Sequence, residues 1–150
     1  MSLPPISAIP PGAGDVSPLF SEIEVKWPKA FVVLRHSNTF CTAMTADGVF
    51  VRMSIGSVDV EADLGFWKVQ AQKFLEEKRL IKLSEARTVS LNDSSKAYSM
   101  DGSYGSKTYS LTLTSSVDYI ACVEVWGPKD LFKKYQSQIA ELLNNTAFDL

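Results

Sequence analysis

The chain has 150 residues, 45% of them hydrophobic and 21% charged, with a formal net charge of −2 and a pI near 5.4. That length suits a single domain with one substantial core. The slightly acidic balance excludes a general affinity for nucleic acid or anionic membrane, and no apolar run is long enough to span a bilayer. The nearest approaches to basic clusters, Lys78-Arg79 and Lys133-Lys134, fall inside predicted helices and read as solvated faces.

Residues 1–18 hold five of the seven prolines: Pro4, Pro5, Pro10, Pro11 and Pro18. With little apolar bulk, this stretch cannot bury enough surface to fold alone and is expected to be an extended Pro-rich leader. It reads either as a disordered tail or as the tether left after a signal or lipoprotein leader, with its lipid anchor site, is removed. A single α+β domain is expected over residues 19–150.

Ile23, Val25 and Trp27 alternate with Glu22, Glu24 and Lys26, the mark of a half-buried strand. Pro28 interrupts, and Ala30 to Leu34 resumes as an apolar run. Arg35-His36-Ser37-Asn38 then reads as a polar break. Phe40, Thr42, Met44 and Ala46 lead to Asp47-Gly48, followed by Val49, Val51, Met53 and Ile55. A two-residue Asp-Gly turn would set Ala46 opposite Val49, Met44 opposite Val51 and Phe40 opposite Ile55.

Gly56 to Asp63 reads as a polar loop whose last carboxylate can cap a helix. Leu64, Trp67, Ala71, Phe74 and Leu75 recur at helical spacing, so a helix is predicted from there to about Arg79, with Trp67 as a core anchor. Thr88–Leu91 and Lys96–Met100 are predicted strands separated by Asn92-Asp93-Ser94-Ser95, a turn cluster. Asp101 to Ser106 is expected to be a loop, its two glycines giving the backbone freedom.

The clearest pattern follows. Lys107 to Leu113 alternates apolar and hydroxyl residues, and Asp118 to Trp126 is β-branched, aromatic and free of Gly and Pro, which together predict a hairpin. Gly127-Pro128 stops its second strand. Leu131, Phe132, Tyr135, Ile139, Leu142 and Leu143 then form the apolar stripe of a closing helix, with Phe132 and Ile139 facing the sheet. The fold class expected is α+β: a mainly antiparallel sheet of six or seven strands with two principal helices packed on it.

No motif carries identifiable chemistry. His36 is the single histidine, and Cys41 lies five residues beyond it. A nucleophilic pair would need those side chains within hydrogen-bond reach, which spacing alone does not show. Cys41 and Cys122 are expected to be separate reduced thiols in the core. Zinc would want about four Cys or His ligands, and three are present, widely spaced. No phosphate-binding glycine loop stands before a helix. Glu76-Glu77 reads as helix surface, and Glu124 as a cross-strand partner of Lys107. No cofactor is expected.

From Phe66 onward the order of features resembles the PsbP-like fold, shared by the extrinsic photosystem II subunit, a Ran-binding import factor and small bacterial exported lipoproteins. The resemblance rests on Phe66-Trp67 opening a helix, Thr88-Val89-Ser90-Leu91-Asn92, and Ala97-Tyr98 before Gly102 and Gly105. It continues through Val123-Glu124-Val125, Gly127-Pro128, Leu131-Phe132 and Tyr135. It implies a binding or assembly module, and carries over no site residue.

The expectation is thus a non-enzymatic, exported or envelope-associated domain, periplasmic in a bacterial setting, that binds an unidentified protein or small molecule. A cytosolic adaptor of the profilin or longin kind and a small hydrolase using Cys41 or a Ser with His36 are the alternatives. Asp101, Ser103 and Tyr104 are the first candidate binding residues, as a polar loop with an amphipathic ring, although Tyr104 could instead pack over the sheet edge. Arg35 and His36 form the second candidate loop.

Overall fold

The computed structural model describes residues 13–14, 22–36, 40–58, 62–91, 96–116 and 119–149. Their centre is the predicted hairpin. Strand β9 (Lys107–Ser115) pairs antiparallel with β10 (Tyr119–Pro128), Val123 opposite Thr112 and Trp126 opposite Tyr109. Around it the strands run in the order β3 (Phe31–His36), β4 (Phe40–Thr45), β5 (Phe50–Val58), β10, β9, β8 (Lys96–Tyr104) and β6 (Lys82–Leu83). The short strands β1 (Ala13–Gly14) and β7 (Arg87–Ser90) pair with β5 and β8, which makes nine strands, more than expected. A separate ribbon joins β2 (Glu22–Val25) to β11 (Thr146–Asp149).

Helices cover both faces. Helix α1 (Leu64–Lys78) buries Trp67, Ala71 and Leu75 against Met100, Leu111, Leu113, Ile120 and Trp126. The Asp63 carboxylate accepts from the Phe66 N–H at 2.8 Å, satisfying one free amide of the first turn. At the other end the Ile81 N–H returns to the Leu75 carbonyl at 3.0 Å, with Leu80 in the left-handed region at φ 57°. Glycine usually holds that position, because a Cβ there crowds the backbone.

On the opposite face the closing helix is broken in two. Helix α2 (Lys129–Lys134) and helix α3 (Gln136–Asn144) meet at Tyr135, and the β2–β11 ribbon lies beside them. Ile139 and Leu142 are buried there with Val51, Met53, Val123 and Val125, and Phe132 is half-buried against the same cluster. Each such side chain taken from water contributes about 1.5–3 kcal/mol.

Three local expectations are corrected. Beyond the bond from the Thr45 N–H to the Val49 carbonyl at 2.9 Å, the chain between β4 and β5 turns through three residues, Ala46, Asp47 and Gly48, the last at φ 114°. The Thr45 hydroxyl donates to Asp47 at 2.8 Å and accepts from the Val49 N–H at 2.9 Å, so side-chain bonds select this longer loop over a two-residue Asp-Gly turn. The register therefore shifts by one: Met44 faces Phe50, Ala43 faces Val51 and Phe40 faces Ser54. Asp101 to Tyr104 is strand, not loop; only Gly105-Ser106 turns the chain. Gly102 serves close packing there, since a Cβ on it would collide with the Lys82 carbonyl of β6. Arg35 and His36 likewise lie within β3, paired with Thr42 and Cys41. The leader expected over residues 1–18 falls outside the described residues except at Ala13–Gly14, and the Asn92 to Ser95 turn falls outside them entirely.

Candidate binding groove

Alternation in β9 separates two chemistries. Tyr109, Leu111 and Leu113 point toward α1, while Ser110, Thr112 and Thr114 point to the other face, all of them buried. Two of those hydroxyls are satisfied locally: Thr112 Oγ1 lies 3.2 Å from Ser99 Oγ, and Thr114 Oγ1 donates to the Lys96 carbonyl at 2.9 Å. Toward the β7–β8 side of this hydroxyl face, helices α2 and α3 stand off and leave a groove of about 430 Å³. Thr108 and Ser110 floor it, and Phe132, Ile139, Ala140 and Leu143 form its helical wall. Lys129, Lys133 and Gln136 stand along its rim, and an ion pair between Arg87 and Asp101, 3.0 Å apart, borders it on the strand side. Both partners of that pair are half-exposed, so it shapes the rim and contributes at most about 1 kcal/mol to stability.

The helical wall is fixed by a latch outside the groove. Tyr135, at the break between α2 and α3, donates its hydroxyl to the Asp47 carboxylate at 2.8 and 3.0 Å, and Lys134 Nζ lies 3.0 Å from the same group. Hydrogen bonds from Thr45, Lys134 and Tyr135 lower the Asp47 pKa to about 2. The Lys134 ammonium is raised in turn, first by its bond to Asp47.

The opposite face holds a feature the sequence reading missed. Glu124 does not meet Lys107, which pairs with Pro128. It is buried against Arg52, whose Nε and Nη2 both lie 3.0 Å from Oε1, and it accepts the Tyr109 hydroxyl at 2.7 Å on Oε2. The Arg52 guanidinium also stands 5.3 Å from the centre of the Trp126 ring. Burial, then the Glu124 charge, push the Tyr109 phenol well above its ordinary pKa.

Of the four candidate residues whose side chains are described, the structure brings only Asp101 to the groove. Ser103 is exposed two residues farther along β8, and the side chain of Tyr104 lies outside the described residues. Arg35 and His36 are exposed at the far end of the other sheet edge, so the two candidate segments occupy opposite corners. Cys41 stands opposite His36 in the ladder, yet its thiol is fully buried and desolvation pushes its pKa up to about 11. A nucleophilic cysteine needs the reverse shift. Cys41 and Cys122 are not bridged to each other and lie on opposite faces of the sheet, with Cys122 Sγ 3.2 Å from Ser54 Oγ. Among the described residues no cluster of His, Cys, Asp and Glu is suited to a metal ion, and no helix is long and apolar enough to cross a membrane. A second, more polar opening of about 630 Å³ lies at the start of α1, where Asp63 is engaged in capping.

Comparison with solved structures decides the fold. LpqN of Mycobacterium tuberculosis, described as involved in cell envelope biogenesis, superposes with a TM-score of 0.69 at 14% identity, over 87% of this chain and 84% of that one. Cyanobacterial PsbP from Synechocystis superposes with a TM-score of 0.54 at 8% identity, over 89% of this chain and 95% of that one. The chain has the PsbP-like fold. No protein-family model and no curated protein sequence matches it. At these identities the PsbP-like likeness concerns architecture, and the side chains of the groove must be read on their own chemistry.

Proposed function

We propose that this PsbP-like domain is a non-enzymatic, envelope-associated binding module whose site is the groove beneath α2 and α3. The groove carries the reading. Its volume lies within the range of small-molecule sites, its wall is apolar, and its polar groups are few and convergent. The hydroxyls of Thr108 and Ser110 can bond a polar part of a ligand, and Lys129 and Lys133 favour an anionic end at the rim. Asp101 is retained as a site residue because its pairing with Arg87 holds the strand-side border. The raised Cys41 thiol supports a non-catalytic role. The likeness to LpqN, itself described as involved in cell envelope biogenesis, supports an exported setting.

The test is a titration with an anionic, environment-sensitive naphthalene sulfonate dye. Saturable fluorescence enhancement is expected, reduced at least tenfold in affinity by Ala140→Trp, which fills the groove from an exposed helical position. Equal binding by Ala140→Trp, with its melting temperature unchanged, would place the site elsewhere. Fractionation of cells expressing the native gene addresses the setting, and recovery with cytosolic proteins would count against export.

A further inference from the structure

The charges around the groove are out of balance with the chain that carries them. Its lining holds three cationic side chains, Arg87, Lys129 and Lys133, and one carboxylate, that of Asp101. That is a local excess of two positive charges in a chain of net charge −2. The cations also stand on two sides, Arg87 on the strand border and the lysines along the rim formed by α2.

Each side has donors to spare. Lys129 and Lys133 are exposed, four residues apart on one face of α2, and among the described residues neither is in an ion pair. Like charges at that spacing repel and cost helix stability, a cost that an anion lying between them reverses. Their neighbour Lys134 makes the contrast, since it bonds Asp47 outside the groove. On the strand border, Asp101 meets Arg87 through one terminal nitrogen, Nη1 to Oδ2 at 3.0 Å. A guanidinium is a planar fork of N–H donors, so the edge formed by Nε and Nη2 remains suited to a carboxylate or a phosphate. Between the two borders the wall is apolar, built from Phe132, Ile139, Ala140 and Leu143.

Given the groove as the ligand site proposed above, we infer that its ligand is a small molecule with two oxyanion groups joined by an apolar middle. One group meets the Arg87 fork, the other Lys129 and Lys133. Such a ligand reverses the usual order of affinities. In an apolar groove without charged borders, a second charge on an alkyl chain weakens binding, because the charged end gives up its hydration. The experiment is calorimetric titration of the full chain with decanoate, decanedioate and decane α,ω-bisphosphate. At least one dianion is expected to bind about tenfold tighter than decanoate, and the tighter of the two identifies the group as carboxylate or phosphate. Arg87→Gln should abolish that preference at an unchanged melting temperature, since the Arg87 side chain is 56% exposed. Decanoate binding as tightly as both dianions overturns the inference, and so does a preference that survives Arg87→Gln. Absence of binding by all three probes also overturns it, while dye binding lost in Ala140→Trp would still keep the groove as the site.

Discussion

On the α1 side of the sheet, Arg52, Glu124, Tyr109 and Trp126 are sealed beneath the helix, every one of them at most 4% exposed. On the α2–α3 side, the same strands present hydroxyls beside a groove whose helical wall is broken at Tyr135 and held from outside by Asp47. One face has charge without access, and the other has access with modest charge. The difference teaches that burial, not chemical interest, separates a structural polar cluster from a binding surface. A buried ion pair satisfies itself, while a groove leaves groups for something else to meet.

Breaking the sealed face should have the largest effect. Glu124→Ala leaves the Arg52 guanidinium buried without its carboxylate partner and should cost about 3–5 kcal/mol in denaturant unfolding. Replacing both with apolar residues, Arg52→Met with Glu124→Leu, should recover much of that loss, because the desolvation cost of both charges disappears. Ile139→Asp strikes the other face, putting an unpaired charge where α3 meets the sheet, and should cost about 3 kcal/mol. A smaller loss against Glu124→Ala would confirm that the grooved face is the more tolerant one.

The latch responds to acid. Because the folded Asp47 pKa lies below its ordinary value of 3.8, its contribution is complete above that value and fades as pH falls toward about 2. Asp47→Asn should flatten the stability profile in that window and loosen the groove, read as weaker dye binding at neutral pH. The smallest effect is expected at the end of α1. Leu80→Gly relieves a positive φ on an exposed side chain and should stabilise by at most about 1 kcal/mol, with dye binding unaltered.

What could be read from the sequence followed the range of the interactions. The β9–β10 hairpin was legible because period-two alternation and a short connection are local facts. So were α1 and its Asp63 cap. The β4–β5 hairpin was seen but misregistered, because Thr45 and Asp47 choose the loop through side-chain bonds that an Asp-Gly signature does not reveal. One residue of slip exchanges the faces, which is why Val51 joins Ala43 and not Met44. Arg35 and His36 looked like a break because they are polar, yet an edge strand carries polar side chains outward without cost. Glu124 was assigned to Lys107 because its actual partner, Arg52, is 72 residues away. The groove draws on β7, β8, β9, α2 and α3, so no window of sequence contains it. One signal was present: Thr108, Ser110, Thr112 and Thr114 place four hydroxyls in a row on one face of a strand that ends up inside the molecule.

The β2–β11 ribbon sets the order in which this molecule can be completed. Glu22 pairs with Asp149 and Val25 with Thr146, so the ribbon closes a loop of more than a hundred residues. The central hairpin needs only its own neighbours, whereas this closure waits for almost the whole chain to be available and carries the largest loop entropy. Ile23 and Phe148 reach the α2–α3 core only through it. During synthesis, the α1 side can therefore assemble first. The wall of the groove gains its final support when the last strand arrives, so refolding should show the ribbon's protection appearing after that of β9 and β10.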